Sequence, residues 1–74
     1  MIKQKITYHK NNVVYQYIET YNNSISHIAE YDENGCIVYE EFPFFNEWTT
    51  WKRDENGYVK SVLSPGNEAK LSLV

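Results

Sequence analysis

A chain of 74 residues has room for one domain, at a size where folding takes only about 60% of the unfolded chain's surface out of water. Its single cysteine, Cys36, excludes an internal disulfide and a cysteine-based zinc site, so no covalent staple holds the fold and a reducing, cytoplasmic setting is expected. The net charge of −3 hides an uneven distribution: no Lys or Arg lies between Asn11 and Trp51, a stretch holding Glu19, Glu30, Asp32, Glu33, Glu40, Glu41 and Glu47, while the cations sit toward the two ends.

From Met1-Ile2-Lys3-Gln4-Lys5 the chain runs straight into alternating polar and apolar residues, with no apolar leader segment, and this alternation predicts a first strand over 2–8. Asn11-Asn12 makes the first break, and a second strand over 13–20 sets Tyr15 and Tyr17 opposite Val14 and Ile18. Asn22-Asn23 leads to a strand over 25–31, and Asp32-Glu33-Asn34-Gly35 to one over 36–42. After Pro43 to Asn46 comes a strand over 47–53, with Trp48 and Trp51 pointing to opposite sides. Asp54-Glu55-Asn56-Gly57 and Ser64-Pro65-Gly66-Asn67 then frame strands over 58–63 and 68–73. Every glycine and proline falls in one of these breaks, where turn chemistry needs them. The expected fold is a single all-β domain over 1–74: an antiparallel meander of six to seven short strands in a strongly twisted or curled sheet. No apolar stretch is long enough to predict a membrane-spanning helix.

The Asp-Glu-Asn-Gly turns can close in two ways, as a two-residue type I′ loop on Asn-Gly or as a type I turn followed by a left-handed glycine and capped by the Asp side chain. The two registers differ by two residues and so predict the same faces. In the 25–42 hairpin, Ile25, His27, Ala29 and Tyr31 share a side with Cys36, Val38, Glu40 and Phe42. Ile28 and Glu30 share the other with Ile37, Tyr39 and Glu41. Both sides carry apolar groups, unlike a sheet with one wet face. A curled or barrel-like sheet, a two-layer sandwich or a face-to-face homodimer would each cover the second face.

Glu30-Tyr31-Asp32-Glu33-Asn34-Gly35-Cys36-Ile37 and Lys52-Arg53-Asp54-Glu55-Asn56-Gly57-Tyr58-Val59 are one phrase repeated, with a looser copy at Thr7-Tyr8-His9-Lys10-Asn11-Asn12-Val13-Val14. A period of about 20 residues marks repeated supersecondary units, here one hairpin each, that bury apolar area by stacking on their neighbours. Between Ser26 and Leu63 the chain resembles the tyrosine-aspartate (YD or Rhs-type) repeats of bacterial and phage proteins, with Arg53 where that family has Tyr and with both Asp and Gly missing from the first unit. The resemblance implies the hairpin fold and carries no function with it.

No set of residues here points to catalysis. Cys36 and His27 share a predicted face, but they stand apart along their hairpin with no glycine-rich oxyanion loop, and Cys36 reads as a buried, inert residue. Two histidines are too few for a metal site, and the Asp-Glu pairs of the turns lack the ligand number of a calcium loop. No phosphate-binding glycine motif occurs. An enzyme and a bound cofactor are therefore not expected.

One segment goes beyond structure. Phe42 to Trp51 packs five aromatic residues beside carboxylates and no cation, and such a surface suits a protein partner with a basic face. Phe44, Phe45, Trp48 and Trp51 are the candidate anchors, and Glu40, Glu41 and Glu47 the candidate steering charges; Phe44 and Phe45, in a loop beside Pro43, are expected to be exposed. The leading expectation is a non-catalytic protein-binding module, in its specific form a phage or mobile-element inhibitor of a host defence protein, anti-CRISPR proteins being one such class. A self-assembling structural unit, homodimeric through its second apolar face, and a carbohydrate binder using Trp48 and Trp51 are the alternatives. Direct nucleic-acid binding is disfavoured, because the cations are dispersed at the two ends.

Overall fold

A computed structural model describes residues 1–65 and 67–69. The chain forms one antiparallel sheet in strict sequence order: β1 (Ile2–Tyr8), β2 (Val14–Tyr21), β3 (Ser24–Tyr31), β4 (Ile37–Phe42), β5 (Glu47–Arg53), β6 (Val59–Ser64) and β7 (Asn67–Ala69). The expected meander is thus the observed one, and no α-helix occurs among the described residues. The strand expected over 68–73 is described only as far as Ala69, and the rest of it lies outside the described residues.

The turns explain why the meander is so regular. In the second, the Gly35 N–H donates to Asp32 O at 3.0 Å, the Asp32 N–H to Cys36 O at 2.9 Å, and Gly35 sits at φ +83°. Asn34 is not left-handed, so of the two closures the type I turn with a left-handed glycine is the one adopted. Asp32 Oδ1 caps it, accepting the N–H groups of Asn34 and Cys36 at 2.9 Å each. Asp54 and Gly57 repeat every feature, and His9 with Asn12 at φ 65° reproduces the same backbone bonds. The loose first copy is therefore the same turn built without Asp or Gly. Asn22 and Asn23, at φ 50° and 69°, instead make a two-residue type I′ hairpin.

The same three hairpins share a second irregularity. The register slips by one residue beside Tyr8, Tyr31 and Arg53, which occupy equivalent places in the repeat, and a further slip falls between Glu19 and Thr20. These bulges correct the expected faces, because residues paired across strands share a side. Ile37 pairs with Tyr31 while Tyr39 pairs with Glu30, so the two do not share a face. Ile25 pairs with Thr20 while His27 pairs with Glu19, which puts Ile25 on the opposite side from His27. Val14, paired with Tyr8, joins the side of Tyr17 rather than opposing it.

The adjacent turns are tied sideways. His9 Nε2 lies 2.7 Å from Tyr31 O and, facing a carbonyl, carries the proton; Asn11 Nδ2 donates to Glu33 O at 3.0 Å. Between the second and third units, Arg53 takes over, donating from Nε to Ile37 O at 3.1 Å and from a terminal nitrogen to Gly57 O at 2.9 Å.

The result is a single open layer. The Cα atoms span 45 × 34 × 10 Å, with a radius of gyration of 13.8 Å where a compact chain of this length has about 11 Å. Neither the barrel nor the two-layer sandwich is formed among the described residues: β1 and β7 are the edges of the sheet. Among the described residues one, Ala29 at 1% exposure, is fully buried. The accessible surface of 5786 Å² is roughly a fifth larger than that of a compact monomer of 8.8 kDa. We call the side carrying His27 the front and the side carrying Tyr39 the back.

Candidate functional site

The segment singled out from sequence begins at a tight corner. Pro43, whose ring fixes φ, opens a short 3-10 turn over Pro43–Phe45, and the Asn46 N–H closes it on Pro43 O at 3.2 Å. Asn46 ends the turn at φ 52°, a left-handed conformation that Asn tolerates well, and the chain re-enters the sheet as β5. Phe44 and Phe45 are left on this corner 54% and 72% exposed, in agreement with the expectation.

The remaining candidate residues are not brought together. Glu40 pairs with Thr49 and Glu41 with Trp48, so the two neighbouring carboxylates project to opposite faces. Glu40, Glu47 and Trp51 stand on the front, Glu41 and Trp48 on the back. The acidic aromatic stretch is therefore divided into a front group, a back group and the Phe44–Phe45 corner.

Two of its three carboxylates are already engaged. Glu40 Oε2 meets His27 Nε2 at 2.9 Å. The His27 ring lies flat on Phe42, 4.6 Å between centroids at 3° between planes, and takes Tyr17 edge-on at 5.5 Å. This cluster holds the middle of the front face together and leaves His27 committed to packing. Cys36 is half-buried, and His27 is bonded to Glu40 rather than poised beside a thiol. On the back, Glu41 Oε1 accepts the Tyr39 hydroxyl at 2.6 Å. That bond, helped by burial and the negative charges of Glu41 and Glu30, pushes the Tyr39 phenol up to about 12. Tyr17 is also raised, by burial and by the Glu19 carboxylate that accepts its hydroxyl at 3.0 Å. Glu47 is exposed, and among the described residues it has no hydrogen-bond or ionic partner.

The carboxylates of Asp32 and Asp54 are spent on capping their turns. No cluster of three or more His, Cys, Asp or Glu among the described residues could hold a metal ion. No helix of the described residues is long and apolar enough to cross a membrane.

Sequence reasoning missed the other end of the front face. Ile2, Ile6, Tyr8 and Tyr21, all front residues of β1 and β2, are 46–60% exposed. Beside them an open cavity of about 550 Å³ is lined by Ile6, Val13, Val14, Tyr17, His27 and Tyr31. The alternation of Ile2, Ile6 and Tyr8 along the first strand was the available signal, but it is the bulge at Tyr8 that adds Val14 to the same surface.

No family model, curated protein or solved structure matches this chain.

Proposed function

We propose that the protein is a non-catalytic protein-binding module that engages a basic surface through the Phe44–Phe45 corner, with Glu47 beside it. The observation that carries this reading is two large aromatic side chains held exposed by a Pro43-anchored, Asn46-closed turn next to an unengaged carboxylate, within a stretch from Asn11 to Trp51 that has no cation. Aromatic anchors on a short, rigid turn lose little conformational freedom on docking, and a nearby negative charge steers the approach of a basic partner. Glu40 and Glu41 have a smaller part than their sequence position suggests, because each is bound within the sheet.

A small inhibitor of a nucleic-acid-handling host protein, of the phage or mobile-element kind, is the specific form proposed, since such targets present the basic grooves that this corner suits. A sugar platform has less support: Trp48 and Trp51 lie on opposite faces and cannot stack on one ring together. Direct phosphate binding also has little, since on the back Lys3 and Lys5 of β1 are separated from Lys52 of β5 by three intervening strands, about 19 Å.

The test is affinity capture from a lysate of the host, comparing wild type with Phe44→Ala/Phe45→Ala and with Glu47→Lys. A captured basic protein that is lost with the double alanine variant and weakened by Glu47→Lys supports the proposal. Capture unaffected by all three substitutions defeats it.

A further inference from the structure

A sheet one layer thick cannot keep either apolar face dry by itself, and the two faces here are unequal. The back alternates apolar groups with Lys3, Lys5, Gln16, Glu30, Glu41 and Lys52, as a wet face does. The front carries Gln4, Glu19, Glu40, Glu47 and Arg53 too, but it alone holds the tyrosine-rich cluster, the cavity and the contiguous exposed patch of Ile2, Ile6, Tyr8 and Tyr21. We propose that the front face is the interface of a two-fold homodimer in which the sheets of two copies stack to form the second layer that a single chain lacks.

Area is the first argument. The four exposed patch residues alone leave on the order of 400 Å² of large-side-chain surface, taking 150–250 Å² for an aromatic residue. The half-buried front groups around them, Val14, Tyr17, Tyr31 and Trp51, bring this to roughly 600 Å², approaching the ~800 Å² that each partner of a standard interface contributes.

Charge is the second argument, and it selects a copy of this chain over another partner. On the front of β5, Glu47 stands at the first position and Arg53 at the last, and the point midway between them is at Thr50, whose own side chain is on the back. A two-fold axis lying across the strands at Thr50 sets Glu47 of each copy over Arg53 of the other. The strand pairing carries that axis through Tyr39, Glu30 and Gln16 to Thr7 of β1, so the same rotation lays Tyr8 of each copy over Ile6 of the other. Within one chain Glu47 and Arg53 are about 20 Å apart along the strand and cannot interact. The Phe44–Phe45 corner lies at the end of the sheet, so a stacked dimer presents two copies of it; Glu47 is taken up by Arg53 of the other copy in the dimer, and its part in docking a basic partner is that of the single chain, read on the Ile6→Lys background.

Sedimentation equilibrium tests this with a matched pair of substitutions: Ile6→Lys on the front, where the residue is 46% exposed, and Leu63→Lys on the back, where it is 41% exposed. Wild type is expected to sediment as a dimer at micromolar concentration, Ile6→Lys to weaken dimerisation by at least ~30-fold and Leu63→Lys by less than ~5-fold. Glu47→Arg should weaken it as well, and adding Arg53→Glu should restore it. If Arg53→Glu fails to fold, Glu47→Arg and the matched pair still decide. A folded wild type that stays monomeric at about 100 μM overturns the proposal, as does a Leu63→Lys defect equal to that of Ile6→Lys.

Discussion

Replacing Gly57 by L-alanine isolates the conformational requirement on which the repeated turn rests. Gly57 has φ +88°, and a methyl group built on it meets nothing within 4 Å, so the substitution adds backbone strain and no collision. Holding an L-residue left-handed costs about 1–2 kcal/mol, which for a domain of this size lowers the melting temperature by on the order of 10 °C. Gly35, at φ +83° with its nearest neighbour, Val13 Cγ1, at an ordinary 3.7 Å, should respond equally. A chain of 74 residues is open to chemical synthesis, and D-alanine at 57 supplies the same methyl group with the opposite preference. The account expects L-alanine to destabilise at both sites and D-alanine at 57 to match or exceed glycine, in thermal melts at one fixed protein concentration. Equal melting temperatures for the L- and D-variants would refute the turn assignment.

Three further outcomes follow from the same geometry. Asn12→Gly, at the first-unit position with φ 65°, should stabilise by a few tenths up to about 1 kcal/mol, read as a rise in denaturant midpoint. Asp54→Ala removes two backbone hydrogen bonds at 2.9 and 3.0 Å and should cost about 1–2 kcal/mol, with Asp54→Asn recovering most of it. The Tyr39 phenol, at about 12 in the folded chain against 10.0 when free, makes a contribution that is complete below pH 10 and fades as pH rises toward 12, because the unfolded chain gives up that proton first. An ultraviolet titration of tyrosinate should therefore show one late-titrating phenol that Glu41→Gln brings back toward the ordinary value; an unchanged curve would remove Glu41 as the cause.

The strands were legible because the alternation is strict and every glycine and proline marks a break; β1 and β5 span the stretches that the pattern predicts. The bulges were not, since an inserted residue such as Val38 looks like any other strand residue in the pattern, yet it transfers Ile37 to the other face. The candidate site suffered for a related reason. Glu40 and Glu41 are adjacent in sequence and read as one patch, but a strand sends neighbours to opposite sides, and His27 and Tyr39, the groups that engage them, come from β3 and from β4 itself. Phe44 and Phe45 were readable because Pro43 takes the chain out of the sheet just before them.

The central claim is that the front face is covered while the Phe44–Phe45 corner stays free to dock. Hydroxyl-radical footprinting across a protein concentration series tests both halves at once. Oxidation of Tyr8 is expected to fall several-fold as the copies associate, while Phe44 and Phe45 remain reactive. Tyrosine reactivity that does not change with concentration, or protection that appears at Phe44 and Phe45 instead, would contradict it.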